Sequence, residues 1–287
     1  MRLRDVTDVL TSFGTGRRRV QSAPEKGSAE KVDPVIKFVI CGIEHSGTTL
    51  ISDLFRQIKG VDAGFEVGVL LCDTPRAFRK FVPFSQNILK GWEVTPAELD
   101  HCCDTDQFGE FYQRLLAACK TVAAGTTITF DKTPRYLSSL DACMAKVDVP
   151  FIVSYKDPRA IVYSDFVRAK ADSFDNWFRQ YLPLKLKYMK SLYNQYKAAI
   201  EQREARTCFI ALEDLCLKAR ESCDRIFAHV GHEFKLEYLV LQNLRYEHNR
   251  STSISASIPF EYRKAFAPHV QQTIRTEFAA CENWFYD

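Results

Sequence analysis

The chain has 287 residues, of which 46% are hydrophobic and 26% are charged, and its formal net charge is +3. This is the composition of a globular protein, and so mild a charge argues against nucleic-acid binding, which needs a concentrated basic face. The longest apolar runs are shorter than a membrane span, so we expect no transmembrane helix.

Residues 1–33 include three consecutive arginines (17–19), several serines and glycines, and little periodic apolar content. We interpret this stretch as a flexible lead before a single domain of residues 34–287, because α/β domains often reach this length as one unit. An arginine-rich transit peptide is the alternative, but Asp5 and Asp8 count against it.

The stretch 35–58 has the pattern of a strand, a phosphate-binding loop and a helix. Its apolar run at 35–40 is rich in β-branched and aromatic residues, which suits a strand buried on both faces. After Gly47, apolar residues recur at helical spacing. The predicted helix therefore begins at the loop, where its unpaired N–H groups and positive dipole end can hold an anion.

The loop matches the nucleoside-triphosphate motif G-x-x-x-x-G-K-[ST] from Gly42 to Thr49, except that Thr48 replaces the lysine. That lysine reaches the β- and γ-phosphates, so a chain without it is poorly equipped for γ-phosphoryl chemistry. The remaining loop can still hold a single 5′-phosphate. An ordinary strand-turn-helix is the alternative interpretation.

Glu66 follows the predicted helix in an otherwise apolar setting punctuated by glycines. A carboxylate is costly there unless it is paired or used, so Glu66 is a candidate general base. An exposed or capping glutamate is the alternative.

Residues 72–120 have no strand pattern and are predicted to be a helical lid over the site. Between Glu93 and Glu110 this segment has six acidic residues and no Lys or Arg. A solvated acidic helix face explains such a pattern. A lid that favours a cationic acceptor and repels polyanions is the sharper hypothesis.

The ten cysteines are scattered, form no C-x-x-C pair and accompany no signal peptide. We expect reduced thiols and a cytoplasmic location. Cys102 and Cys103 follow His101, but no second cluster completes a ligand set, so we predict no metal site.

Further strands are predicted at 126–130, 149–155 and 207–212, with helices between them. The helix predicted over 177–204 is interrupted near Pro183. Strands that alternate with helices indicate an α/β fold with a parallel, doubly wound sheet.

Two lysines follow these predicted strands. Lys132 comes after the strand at 126–130 and Lys156 after the strand at 149–155, at the sheet edge where open α/β sheets bind ligands. Ser164 lies two helical turns beyond Lys156. We expect Lys156 and Ser164 to bind a second anion together.

Four motifs, in order, resemble the P-loop sulfotransferases that use 3′-phosphoadenosine 5′-phosphosulfate (PAPS). HSGTTL (45–50) resembles the family's 5′-phosphosulfate loop, and DKTPRYL (131–137) resembles its [DE]-K-[ST]-P element. YKDPRAIVYS (155–164) resembles its 3′-phosphate motif, and ALEDL (211–215) its Y-E-D-L stretch. The resemblance spans about residues 35–235.

The resemblance implies in-line transfer of a sulfuryl group from PAPS to a hydroxyl or amine of a small-molecule acceptor, with no metal and with 3′,5′-ADP as product. Glu66 would be the base, while Lys132 and His45 would neutralise developing charge. The implied ligands of the 5′-phosphate are His45, Ser46, Gly47, Thr48 and Thr49, and Lys156 and Ser164 would hold the 3′-phosphate. Some relatives tailor guanidinium natural products, which makes a cationic amine or guanidinium acceptor our specific expectation.

The chain departs from the family at three places. His45 stands where Lys or Arg is usual, and Lys156 stands where Arg is usual, which loses a bidentate fork. The C-terminal Arg-x-x-x-x-Gly phosphate motif is not evident, and Arg250, Arg263 or Lys264 is expected to substitute. A nucleotide kinase or phosphatase with a degenerate loop, or a non-catalytic nucleotide sensor, is the alternative function; acceptor identity and oligomeric state stay open.

Overall fold

The computed structural model describes residues 35–202, 205–244 and 253–287. Its centre is a sheet of parallel strands in the order β2-β3-β1-β4-β5. The strands are β1 (Ile36–Gly42), β2 (Val61–Asp62), β3 (Ile128–Lys132), β4 (Phe151–Tyr155) and β5 (Thr207–Ala211). The parallel α/β fold predicted from the sequence is therefore confirmed.

Helices follow or separate the strands. They are α1 (Thr48–Phe55), α2 (Pro75–Phe78), α3 (Phe84–Gly91), α4 (Pro96–Cys103), α5 (Phe108–Ala118), α6 (Leu140–Met144), α7 (Pro158–Ala169), α8 (Phe174–Gln202), α9 (Leu212–Leu217), α10 (Ala219–His229), α11 (Tyr262–Ala265) and α12 (Pro268–Glu277). Short 3₁₀ turns cover Val69–Leu71, Pro134–Ser139, Leu236–Leu239, Ile258–Phe260 and Ala279–Trp284.

Both faces of the sheet are covered. Successive β1 side chains point to opposite faces, so they belong to two different cores. Phe38 and Ile40 pack with apolar residues of α1 and α10. Val39 and Cys41 belong to a larger core that includes residues of α7, α8 and the helices between β2 and β3. This two-sided burial explains the near-continuous apolar run of β1.

The strand order places β1 between β3 and β4, which lie on its two sides. After β1 the chain runs to one half of the sheet, and after β3 it crosses to the other half. The carboxyl ends of β1, β3 and β4 therefore meet at the point where an open α/β sheet binds its ligands.

The segment 72–120 is helical, with α2, α3, α4 and α5 and no strand. Two hydrogen bonds attach it to β3 and to the loop after β2: Tyr112 donates a buried 2.6 Å bond to Asp131, and Trp92 donates a 2.7 Å bond to the Phe65 carbonyl. The segment therefore packs beside Glu66 as part of the core.

Two features of the fold differ from the sequence predictions. The interruption near Pro183 is wrong, because α8 runs through Pro183 as one helix. Proline removes one hydrogen bond, but the buried residues Trp177, Met189 and Leu192 along α8 stabilise the helix through packing on both sides of it. The two-residue strand β2 has no strand pattern in the sequence and was not predicted. It forms because it pairs with β3.

No helix in the described ranges is long and apolar enough to cross a membrane. The predicted lead at 1–33 and the predicted phosphate ligand Arg250 lie outside the described residues.

Candidate active site

The phosphate loop turns sharply between β1 and α1, and two glycines make this turn possible. A Cβ atom on Gly42 would lie 2.0 Å from the main-chain oxygen of Ser154. Gly47 has φ of 89°, a left-handed conformation, and a Cβ there would lie 2.6 Å from Leu212 Cδ1. Both positions therefore require glycine for the loop to close against β4 and α9.

Ser46 is fully buried and shapes the loop from inside. Its hydroxyl donates to the carbonyl of Ile43 at 2.6 Å and contacts that of Ser154 at 3.1 Å. Its own N–H donates to Ile43 as well. In this conformation neither donor of Ser46 is free for a ligand, although the sequence resemblance assigned Ser46 to the cofactor.

The first turn of α1 is the part of the loop that can bind an anion. Gly47 provides no side-chain cap, and the turn has no acidic residue. The N–H groups of Thr48 and Thr49 have no acceptor within the helix, and the helix dipole adds positive potential there. The first turn of α1 can therefore hold an anion such as a phosphate.

A second group of donors lies after β4. Lys156 Nζ donates a 2.9 Å hydrogen bond to Ser164 Oγ on α7, so the structure brings together the two residues expected to bind a second anion. Burial lowers the pKa of Lys156, and the Glu213, Asp165 and Glu261 carboxylates oppose this shift. An anion bound here would offset the free-energy cost of burying that charged ammonium.

The segment after β2 meets the end of β3 through an ion pair. Lys132 Nζ donates to Glu66 Oε1 at 2.8 Å, and the side chains are 4% and 22% exposed. Next to this pair, Gly68 N–H donates to Thr133 Oγ1, which donates to Asp131. These bonds hold the Glu66 segment against β3, and they place a carboxylate and an ammonium side by side at the sheet edge.

His45 occupies the loop in a left-handed conformation, with φ of 69°. Its Nε2 atom lies 3.5 Å from Asp165 Oδ1 on α7. Burial lowers the pKa of His45 from 6.5 to about 4; Asp165 opposes this shift, while Arg168, Lys185 and Lys156 add to it. His45 is therefore neutral at pH 7 in the ligand-free protein.

Arg263 contacts the C-terminal segment at Tyr286 and the ring of Phe260. Its Nη2 donates to the Tyr286 carbonyl at 3.1 Å, and its guanidinium lies 4.5 Å from the centre of the Phe260 ring. The same carbonyl accepts a 2.6 Å bond from Arg159, which also pairs with Asp157. In this conformation, Arg263 helps to attach the segment at Tyr286 to the end of β4.

The acidic run 93–110 is largely paired on the protein surface. Arg76 binds Asp104 and Asp106, and Arg79 binds Asp100. In the same run, Glu110 pairs with Arg114, and Glu98 caps α4 through Thr95. Arg76 and Arg79, which are distant in sequence, and Arg114, one helical turn from Glu110, therefore offset most of this negative charge.

Two further carboxylates, Asp165 and Glu213, lie near the site, and the sequence predicted a role for neither. Glu213 falls within the ALEDL motif (211–215), whereas Asp165 lies outside the quoted motifs. Asp165 contacts His45 across the gap between α7 and the loop. Glu213 is fully buried at the start of α9, where its Oε1 accepts the Asp157 N–H at 3.0 Å. Glu213 Oε2 has no hydrogen-bond partner among the described residues, and burial raises the pKa of Glu213 to about 7. Only the fold brings these groups to the end of β4.

A family model described as the sulfotransferase family matches residues 37–235. The sulfotransferase domain of the Synechococcus PCC 7002 olefin synthase is similar over 93% of this chain and 99% of its own, with 18% identity and a TM-score of 0.63. The sulfotransferase domain from the curacin biosynthetic pathway is similar over 86% of this chain and 98% of its own, with 14% identity and a TM-score of 0.57.

Mouse sulfotransferase SULT7A1, solved as a complex with PAP, is similar over 86% of this chain and 84% of its own, with 10% identity and a TM-score of 0.50. A comparison with curated protein sequences gives no match. The family model covers more than half of the chain and includes the phosphate loop, the end of β3 and the Lys156–Ser164 pair. The chain therefore belongs to the sulfotransferase family.

Proposed function

We propose that the protein transfers a sulfuryl group from PAPS to a hydroxyl or amine of a small molecule. The observation that carries this proposal is the Lys156–Ser164 hydrogen bond at the same sheet edge as the phosphate loop. A nucleotide with phosphates at both the 3′ and 5′ positions needs two such anion sites. The PAP bound to mouse SULT7A1 is the nucleotide that remains after PAPS gives up its sulfuryl group.

The first turn of α1 would hold the 5′-phosphate through N–H groups and the Thr48 and Thr49 hydroxyls. The His45 loop segment and Gly47 complete this cradle, and Lys156 and Ser164 would hold the 3′-phosphate. PAPS supplies the activated sulfuryl group. Arg263 remains a candidate phosphate ligand only if it leaves the Tyr286 carbonyl when nucleotide binds.

Glu66 and Lys132 would have different roles in the transfer step. Glu66 accepts the proton of the attacking hydroxyl or amine, and Lys132 provides a fixed positive charge for the oxygens on which negative charge develops. Because His45 is neutral in the ligand-free protein, Lys132 is the ammonium available for this task. The 2.8 Å contact holds the two side chains next to each other before substrates arrive.

The acceptor is proposed to be a small molecule, and the more specific proposal is that this molecule is cationic. The six acids that motivated it lie in a run whose Asp100, Asp104, Asp106 and Glu110 are paired with arginines. A reducing compartment such as the cytoplasm fits the ten free cysteines, of which nine are buried.

A binding comparison tests the function and separates the alternatives. We expect 3′,5′-ADP to bind and to raise the melting temperature far more than ATP with Mg²⁺ does, since the loop has no lysine for a γ-phosphate. Transfer of label from [³⁵S]PAPS to a panel of hydroxyl and amine acceptors then separates an enzyme from a nucleotide sensor. Preference for ATP–Mg²⁺ would instead identify a kinase-like protein and overturn the proposal.

A further inference from the structure

The two carboxylate oxygens of Asp165 contact different elements: one contacts α8 and the other contacts the phosphate loop. On α8, Tyr181 donates a 2.6 Å hydrogen bond to Oδ2, and Lys185 Nζ lies 3.0 Å from the same oxygen. Oδ1 faces His45 Nε2 at 3.5 Å. Contacts with α8 thus hold the Asp165 carboxylate in place, and its other oxygen faces the imidazole.

The charges around His45 come from several elements. Asp165 and Arg168 lie on α7, Lys185 and Tyr181 on α8, and Lys156 follows β4; Glu44 precedes His45 in the loop. Burial by itself raises the pKa of Asp165, but Lys185 and the Tyr181 hydrogen bond oppose burial, and the pKa of Asp165 is lowered. Asp165 is therefore an anion at neutral pH, while three cations and burial keep His45 neutral.

A neutral imidazole is a poor match for a phosphate. It has one N–H donor, and if that donor faces Asp165, the other ring nitrogen presents a lone pair to any anion in the loop. An imidazolium has two donors. With Nε2–H toward Asp165, the Nδ1–H is left for the anion, and both contacts become favourable.

We propose that nucleotide binding is coupled to uptake of one proton from solvent by His45, and that Asp165 is the positioning residue that holds the resulting imidazolium. This inference rests on the proposed function, because it needs a nucleotide whose 5′-phosphate occupies the loop. His45 then supplies, only in the loaded protein, the positive charge that the usual Lys or Arg supplies permanently.

The size and sign of the effect follow from the electrostatics. An opposite charge within about 4–6 Å raises a histidine pKa by about 1–3 units. A His45 pKa that is about 4 in the free protein therefore rises to about 5–7 in the complex. Between these pKa values the complex binds more protons at His45 than the free protein does. Affinity relative to that of His45→Gln therefore increases as pH falls from about 7 to about 4, by at most about tenfold per pH unit.

Calorimetry of 3′,5′-ADP binding to the full chain, at pH 5 in two buffers with different ionisation enthalpies, measures proton uptake directly. The nucleotide's own phosphates contribute equally in all variants, so His45→Gln and His45→Arg provide the reference. We expect wild type to take up as much as one proton more than either variant. Uptake equal to that of His45→Gln overturns the proposal.

Asp165→Asn tests the positioning role, with Tyr181→Phe as the matched control that removes a hydrogen bond to Asp165 but keeps its charge. We expect Asp165→Asn to lose most of the extra uptake and Tyr181→Phe to retain it. Wild-type uptake in Asp165→Asn refutes the role of Asp165.

NMR titration of the six histidine Cε1–H signals, with the His45 signal assigned by its loss in His45→Gln, provides a second readout on the wild type. The His45 midpoint should rise when 3′,5′-ADP is added, and an unchanged midpoint refutes the coupling. If wild type does not bind 3′,5′-ADP at any pH, the proposed function itself fails. Binding without extra proton uptake leaves that function standing and rejects this inference alone.

Discussion

Lys132 Nζ donates a 2.8 Å hydrogen bond to Glu66 Oε1, which pairs the proposed base with the proposed charge-neutralising group. The ammonium is far more buried than the carboxylate. Glu66 thus places a counter-charge beside a buried ammonium. A change at Glu66 accordingly affects both proton transfer and the freedom of Lys132.

Glu66→Gln is expected to lower kcat by about 10²-fold or more on a hydroxyl acceptor, because it removes the base and keeps the side-chain shape. Affinity for 3′,5′-ADP should be unchanged or tighter, since Lys132 loses its counter-charge and becomes available to an anion. Steady-state kinetics and calorimetry measure the two effects separately.

Lys132→Met is the partner variant for that experiment. It should lower kcat and also weaken PAPS binding, because the positive charge is lost from both steps. Near-normal kcat in Glu66→Gln would assign the base to another residue. His101 and the carboxylates of the helical segment 72–120 would then be tested.

Lys156→Ala should remove the preference for 3′,5′-ADP over 5′-AMP. A hydrogen bond to a charged group contributes about 1.5–3 kcal/mol, so we expect 3′,5′-ADP to bind about 10- to 100-fold more weakly. Affinity for 5′-AMP should change little. Isothermal titration of both nucleotides measures this difference.

Ser164→Ala should show a smaller loss of the same kind, because a neutral donor is removed. Lys187→Ala, at an exposed lysine on α8, is the matched control for the loss of one positive charge and should behave as wild type. If Lys156→Ala still discriminates between the nucleotides, these residues do not contact the 3′-phosphate.

Glu213 should make the protein less stable as pH rises. Burial raises the pKa of Glu213 from 4.5 to about 7, so the folded state binds more protons than the unfolded state between these values. Stability is highest below the lower value and falls through the upper one, by an upper limit of about 3 kcal/mol.

Glu213→Gln is expected to flatten this dependence, since the amide oxygen can still accept the Asp157 N–H and carries no charge. Urea unfolding of both proteins at pH 5 and pH 8 measures the difference in free energy of unfolding. The same pH dependence in variant and wild type would show that Glu213 does not titrate in this window.

Acceptor charge is tested by comparing cationic, neutral and anionic acceptors at low and high ionic strength. A cationic preference that depends on the acidic run should weaken as salt screens exposed charges. Because arginines pair most of that run, we expect at most a few-fold preference. Equal turnover of anionic acceptors would reject the cationic hypothesis.

The order of apolar and glycine-rich segments was sufficient to predict the parallel sheet, the phosphate loop and the helical segment 72–120. These features depend on local pattern: a strand buried on both faces needs a continuous apolar run, and a sharp turn before a helix needs glycine. The spacing from Lys156 to Ser164 was also informative, because Lys156 follows β4 and Ser164 lies on α7, where the two side chains meet.

The sequence by itself therefore determined the fold, the family and the set of polar residues at the ends of the strands. Only the tertiary structure decided their partners: Glu66 with Lys132, His45 with Asp165, and Asp104 and Asp106 with Arg76 of α2. It also decided that Ser46 bonds to the loop and that α8 continues through Pro183. The physical reason is that pairing and burial depend on distances between segments remote in the chain, which strand order and helix packing set.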